Sequence, residues 1–473
     1  MGSPRGQNRR WILVVLDVLI AVLASCVALF LWNVDSVEPV ALSWMSDRLI
    51  WLAILPAGTL VMFAITGCYM MTAPSNERTT FYELLRALIG GLILYYTVYF
   101  FAPPGELPRL VVLFYVMVSF PLFAASRRGL FWLSDRRALQ QDLIVVGDPD
   151  GAGELVDLVD EHTMVNINVV GVYPGRTEDQ SDGEEPDDRG SETEDSLPLL
   201  DPDVDLLQCA RQMEIAGIVL FEREGFSDDV LLQLVECYQK GMPIQSGLKL
   251  IEEYSGRLPI SYAREHPQRM FPDRRRNGLV YRAVKRLIDV LGAAVGLLVF
   301  APLLPFLAAG IKLTSRGPVF FRQQRTGQYG EPFELVKLRT MVEDAEEDTG
   351  AQWAQKDDPR VTAIGKYLRL THLDEFPQFW NVLTGDMSLV GPRPERPEIE
   401  AELTDPNPFF KLRHSVKPGV TGWATIKNQY VDSLEKAERR LEYDLYYIEH
   451  QSIWLDLHIL FETFWELVTF GGR

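Results

Sequence analysis

Thr371–Pro397 reads THLDEFPQFWNVLTGDMSLVGPRPERP, in which an adjacent acidic pair, Asp374 and Glu375, is followed by Gly391-Pro392-Arg393-Pro394. Such side chains suit chemistry on a phosphate. One carboxylate can attack as a nucleophile or hold a divalent cation, and a guanidinium can grip phosphate oxygens bidentately. An acidic pair is also common on a solvated surface or at a helix start, so the flanking chain has to decide.

Bases accumulate on both sides of this segment. Pro318 to Gly330 reads as a strand and turn and Phe333 to Met341 as a second strand, whose alternation puts Lys337 and Arg339 on one face. Arg369 precedes Asp374 by five positions and Arg393 follows it by nineteen. Further upstream, Arg274 to Arg276, Arg282, Lys285 and Arg286 precede an uncharged run, Val290 to Ile311, and Lys312 and Arg316 follow it. Pro302 and Pro305 interrupt that run. Proline removes a backbone donor and disfavours helix in the residue before it, so Ala301-Pro302 should mark a bend. Bases at both ends then place both on the cytoplasmic face, so 288–313 is expected to enter the membrane and turn back; a kinked span would put Asp374 outside. Downstream, Glu442 to His450 leads into an aromatic-rich stretch, Ile453 to Phe470, interrupted by Asp456, His458, Glu462 and Glu466. That stretch should lie at the bilayer interface rather than span.

The first third carries four apolar runs near spanning length: Trp11 to Trp32, Leu49 to Met71, Ala87 to Ala102 and Leu110 to Ala125. Trp11, Trp32, Trp44, Trp51 and Trp132 stand near their ends, as interfacial rings do. The first run is long, lacks a small-residue cleavage site and precedes further runs, which argues against a cleaved signal peptide. Arg5, Arg9 and Arg10, then Arg78 and Arg86, then Arg127, Arg128, Arg136 and Arg137 put both ends of the unit in the cytoplasm. Asp17, inside the first run, should face other helices.

The whole chain of 473 residues, 47% hydrophobic, is long enough for about three domains. Its four cysteines have no metal-type spacing. The net charge of −19 disfavours nucleic acid, and the acid concentrates in 177–203, expected to be a loose loop. Asp142 to Val146 reads as a strand entering Gly147-Asp148-Pro149-Asp150-Gly151-Ala152-Gly153, with further strands at Val165 to Val172 and Ile215 to Phe221. A doubly wound, Rossmann-like sheet is expected, but the spacing is G-x-x-x-G-x-G and not the dinucleotide fingerprint. The expected class is therefore a membrane protein, α plus α/β: a four-helix transmembrane bundle (1–137), a Rossmann-like domain (138–265) and a mixed α/β catalytic domain with a re-entrant helix (281–473).

From about Tyr281 to Arg473 the chain resembles the bacterial sugar transferases that act on polyprenyl phosphate, the monotopic phosphoglycosyl transferases. The matching segments are Lys285-Arg286-Leu-Ile-Asp289, the broken helix, Lys337-Leu-Arg339-Thr-Met341, Leu373-Asp374-Glu375-Phe-Pro377-Gln378, Asn381 through Pro394 and Lys417-Pro418-Gly419-Val-Thr421-Gly422-Trp423. The four runs and the middle domain are similar to the larger members, which start exopolysaccharide, capsule or O-antigen repeat units. The resemblance implies transfer of sugar 1-phosphate from a nucleotide diphosphate sugar, UDP-hexose in expectation, to undecaprenyl phosphate through an aspartyl-phosphosugar intermediate. It implies that Asp374 attacks, that Glu375 with Asp374 holds Mg²⁺, and that Arg369, Arg393, Lys337, Arg339, Arg325, Arg316 and Asp386 bind phosphate or substrate. Lys285, Arg286 and Pro302 would meet the membrane or the polyprenyl phosphate. One departure is Ala301-Pro302, where small relatives often have Ser-Pro.

A bacterial inner-membrane location with the catalytic domain on the cytoplasmic face follows from these expectations, and a homodimer through the membrane and middle domains is expected. Two other classes remain open: a non-catalytic scaffold of polysaccharide assembly and a membrane-anchored nucleotide-sugar modifying enzyme. The latter would need a dinucleotide fingerprint and a Tyr-x-x-x-Lys pair, absent from the middle region.

Overall fold

The computed structural model describes residues 4–33, 49–70, 77–101, 109–134, 141–161, 167–175, 197–202, 204–221, 225–262, 271, 278–342, 358–427 and 433–469. Most of the acidic segment 177–203 and the bases Arg136, Arg137 and Arg274 to Arg276 lie outside the described residues, as does Trp44. The chain divides into two compact units, Met1–Gly256 and Arg257–Arg473.

The first unit opens with α1 (Pro4–Asn33), α2 (Leu49–Ile65), α3 (Glu77–Phe101) and α4 (Arg109–Ser134). Three of them are long and apolar enough to cross a membrane, and the apolar α2 is shorter and holds Pro56. Leu19, Leu23, Phe30, Ile93, Phe100 and Met117 face outward while Ala21, Ala24 and Ala28 are fully buried. This is the inversion expected where lipid replaces water: small residues let helices approach and large apolar ones face the tails. Asp17 is buried inside and takes a 2.6 Å ion pair from Arg127 of α4, as a charge at that depth requires.

In the same unit β1 (Gln141–Gly147), α5 (Pro149–Glu161), β2 (Ile167–Tyr173), α6 (Leu206–Gln212), β3 (Gly217–Phe221), α7 (Asp228–Gln239), β4 (Ile244–Ser246) and α8 (Gly247–Ser255) alternate. The strands form one parallel sheet in the order β2-β1-β3-β4. Central β1 is an apolar run buried over Leu143 to Val146, as a strand covered on both faces must be.

The second unit begins with α9 (Leu279–Phe300) and α10 (Leu304–Thr314), which meet at 62° across Ala301-Pro302-Leu303. The bend falls where proline disrupts the helical ladder. A hairpin follows, β5 (Phe320–Thr326) with β6 (Pro332–Leu338), then α11 (Ala363–Leu370), a 3₁₀ turn at Leu373–Glu375 and α12 (Gln378–Thr384). Next come β7 (Ser388–Val390), α13 (Pro397–Thr404), a 3₁₀ segment at Pro408–Ser415 and β8 (Gly419–Thr421), parallel to β7. Three helices finish the unit: α14 (Trp423–Lys427), α15 (Leu434–His450) and α16 (Ile453–Val468).

Phe300, Ile311, Leu338 and Leu368 form the core between the bent pair, β6 and α11, with Leu373 and Phe376 packed against it. On α9, Gly296 is required by close approach: a Cβ there would stand 2.5 Å from the Phe379 ring. The opposite face exposes Leu287, Leu291, Val295 and Leu298, an apolar stripe at helical spacing. Asp289, buried beneath that stripe, accepts from Ser388 Oγ and Leu389 N, both at 2.9 Å, tying α9 to β7.

Candidate active site

Asp374 and Glu375 stand on the 3₁₀ turn between α11 and α12. The preceding His372 has φ +53°, a left-handed conformation uncommon in a non-glycine residue, so the chain reverses sharply just before the acids. The carboxylate of Asp374 is buried. Glu375 takes the nearest cations: Lys337 Nζ donates to Oε1 at 3.1 Å, Arg393 Nη2 donates to Oε1 at 2.7 Å, and Arg393 Nη1 reaches Oε2 at 3.4 Å.

The two acids consequently differ. Burial, then the like charge of Glu375, raises the Asp374 carboxyl above the usual carboxylate range, against Lys337, Arg369 and Arg393. Burial also opposes ionisation of Glu375, but Arg393 and Lys337 outweigh it and hold that carboxyl well below its ordinary value. Desolvation lowers Lys337, with Glu375 opposing. One acid is thus ion-paired and the other is a basic carboxylate in a field of cations.

Arg393 is held from behind. β7 and β8 bring Gly391 against Gly419 so closely that a Cβ on Gly391 would stand 2.4 Å from Lys417 O. Gly391 N donates to Thr421 O, and Gly419 N to Pro392 O, both at 2.9 Å. Arg413 Nη2 donates to the Arg393 carbonyl at 2.9 Å and its Nε to Asp444 at 2.8 Å, with Arg413 and Asp444 both buried. Glu395, two residues on, accepts from Arg440 at 3.1 Å and lies 4.0 Å from Arg325.

Of the expected residues, Asp374, Glu375, Lys337 and Arg393 form this cluster, and Arg369 acts on Asp374 by charge. Arg369 Nε donates to Thr340 Oγ1 at 3.0 Å. Arg339 turns to Ser315, donating to its O and Oγ at 3.1 and 3.0 Å. Arg325 donates to Pro394 O at 3.2 Å, on the same loop as Arg393. Arg316 is exposed just past α10. Asp386, also exposed, accepts from Thr384 and lines a cavity of about 650 Å³ between the bent helix and the hairpin. Lys285 is bonded to Val390 O, Tyr447 and Asp456, and Arg286 donates to the Val382 and Leu383 carbonyls at the end of α12. Both basic side chains therefore act inside the fold. Sequence reading gave no role to Arg413, Asp444, Glu395, Arg440 and Asp289; for Asp289, Arg440 and Asp444 the signal was charge within helical patterns, and for Glu395 and Arg413 there was none.

Among the described residues no group of three or more His, Cys, Asp or Glu side chains could hold a metal. Two carboxylates suffice for Mg²⁺, which completes its shell with phosphate oxygens and water. Asp374 and Glu375 supply two, with Glu375 Oε2 carrying only the long 3.4 Å contact, so the donor set fits that ion.

Residues 280–470 match the bacterial sugar transferase family model. The chain is 38% identical over 242 residues to a UDP-N-acetylgalactosamine-undecaprenyl-phosphate N-acetylgalactosaminephosphotransferase of Aeromonas hydrophila, covering 51% of this chain and 56% of that protein. It is 46% identical over 186 residues to the UDP-glucose:undecaprenyl-phosphate glucose-1-phosphate transferase of Escherichia coli (strain K12), covering 39% and 40%. The protein of that same name from Xanthomonas campestris pv. campestris is 32% identical over 335 residues, covering 68% and 66%. The chain thus spans about half the length of these curated relatives.

Proposed function

Because residues 280–470 belong to the bacterial sugar transferase family, we propose that this chain moves sugar 1-phosphate from a UDP-sugar to undecaprenyl phosphate, the first membrane step of a surface polysaccharide. The observation that carries the reading is the unequal acid pair. Asp374 is buried, raised and surrounded by Lys337, Arg369 and Arg393, while Glu375 absorbs the direct ion pairs. A desolvated carboxylate in a cationic pocket is a suitable nucleophile toward phosphorus, because the cations attract the diphosphate without quenching the attacking oxygen.

In the first step an Asp374 oxygen bonds to the sugar-linked phosphorus, and the P–O bond to the nucleoside monophosphate breaks. In the second, an oxygen of undecaprenyl phosphate bonds to that phosphorus, the P–O bond to Asp374 breaks, and the carboxylate is restored. Arg393 and Lys337 hold phosphate oxygens through both steps, and Arg369 faces Asp374 from the α11 side. Mg²⁺, held by Glu375 and Asp374, would offset charge on the diphosphate.

The same reading takes the apolar helices of the first unit as a membrane bundle, the parallel sheet as Rossmann-like, and the bent α9–α10 pair as re-entrant. It places the second unit at the cytoplasmic face of the inner membrane and expects a homodimer. Support for the re-entrant arrangement comes from the 62° bend and the apolar stripe on α9.

The test is a membrane-fraction assay with radiolabelled UDP-glucose or UDP-N-acetylgalactosamine and undecaprenyl phosphate. Lipid-linked product with release of UMP is expected, with a phosphosugar adduct trapped on the wild-type chain and lost in Asp374→Asn. Full turnover by Asp374→Asn would sink the covalent assignment. Absence of lipid product with any donor would leave the scaffold reading.

A further inference from the structure

Arg339 is 5% exposed, yet only its Nη2 is bonded, to Ser315. Its Nε and Nη1 are buried with no hydrogen-bond partner, and among the described residues no carboxylate pairs with it. A guanidinium is always charged, and a buried, half-bonded cation is one of the more expensive features a fold can retain. A bound anion would supply the missing acceptors.

Its surroundings say which anion. Ser315 is the C-cap of α10, so Arg339 sits at the point where the apolar arm of the bent helix gives way to polar chain. Leu338, beside it, is buried in the core that contains Phe300 and Ile311 of that helix pair. On the other side, Thr340 Oγ1 accepts from Arg369, and Arg369 acts on Asp374. Arg339, Thr340 and Arg369 therefore form a row from the end of the apolar arm toward the proposed nucleophile. Lys337 and Arg393 also act on Asp374 by charge but are hydrogen-bonded to Glu375, whereas Arg339 is not.

Building on the transferase reading above, we propose that Arg339, with Arg369, binds the phosphomonoester of the lipid acceptor, apart from the Lys337–Arg393 grip on the donor diphosphate. The free Nε–H and Nη1–H would take two phosphate oxygens in a fork, with the lipid chain running along the α9–α10 arm. The two substrates then use the site in turn, the acceptor oxygen entering on the face of phosphorus that the nucleoside monophosphate has left.

The full chain in nanodiscs, wild type against Arg339→Met and Arg339→Lys, tests it by two readouts. In steady state, the KM for undecaprenyl phosphate should rise about 10- to 100-fold in Arg339→Met, as expected for loss of charge-assisted bonds, and less in Arg339→Lys. The single-turnover burst of UMP without acceptor should reach half-saturation at a UDP-sugar concentration changed by less than about twofold, since that step uses the other grip. In thermal unfolding, undecaprenyl phosphate should raise the wild-type Tm and not that of Arg339→Met, whose unliganded Tm should equal or exceed wild type because an unpaired buried charge is gone. Inorganic phosphate, run beside it, distinguishes a lipid site from a general phosphate site: an equal shift at equal concentration would overturn the lipid assignment. An unchanged acceptor KM, or an equal loss in the donor step, would overturn the proposal. If the wild type released no UMP with either donor, the transferase reading would fail separately, and the acceptor-induced Tm shift, present in wild type and lost in Arg339→Met, would still decide the binding site.

Discussion

Glu375→Gln separates the ion-pairing acid from the proposed nucleophile. The substitution keeps the shape and one neutral acceptor but removes the charge that Lys337 and Arg393 share, at 3.1 and 2.7 Å. Hydrogen bonds to a charged group contribute about 1.5–3 kcal/mol each, and two weaken together, leaving two cations facing each other with no anion between. The Arg393 side chain is 38% exposed, so solvent screens part of its loss. A net destabilisation of roughly 2–4 kcal/mol follows, which for a domain of 150–250 residues lowers Tm by about 4–16 °C. A second effect has the opposite character. Glu375 is, after burial, what raises Asp374, so its neutralisation should move the acidic limb of the rate profile to lower pH. Thermal unfolding of the full chain in detergent and the pH dependence of UMP release measure the two. An unchanged Tm together with an unmoved acidic limb would refute the reasoning.

In the wild type, turnover should fall as pH drops through the raised Asp374 value while the fold persists, because the stability from Glu375 is present above its unfolded value of about 4.3 and is lost only as pH falls through its lowered folded value; parallel rate and circular-dichroism titrations check the order. Arg413→Gln frees the Arg393 carbonyl and leaves Asp444 buried without its partner, so kcat/KM should drop about 10-fold or more with a loss of about 3–5 kcal/mol, read by unfolding beside kinetics. Asp289→Ala removes the acceptor for Ser388 Oγ and Leu389 N, and should cost about 2–4 kcal/mol, measured by thermal unfolding.

Local chemistry made much of this chain readable. The bend at Ala301-Pro302 follows from a proline that lacks a donor, the strand at Leu143 to Val146 from a short apolar run before a glycine, and the hairpin from alternation around Gly327 to Gly330. Lys337 was readable as a charge near the acids because strand periodicity marks which way a side chain points. Arg339 two residues on has the same period, yet it bonds to Ser315 and not to the acidic pair, since β6 ends at Leu338. The inward use of Lys285 and Arg286 was illegible, because nothing in a helical pattern says that Asp456 and the end of α12 will be waiting.

What the sequence alone determined was the inventory: apolar runs with bases at their ends, a broken helix, and an acidic pair bracketed by arginines, all set by residues close along the chain. Which charge meets which was left to the packing of distant segments. Glu375 took Lys337 and Arg393, Asp374 was left buried and basic, and Arg339 kept two unpaired donors. The physical reason is that charge interactions depend on distance and desolvation, and both are properties of segments far apart in the chain brought together by packing.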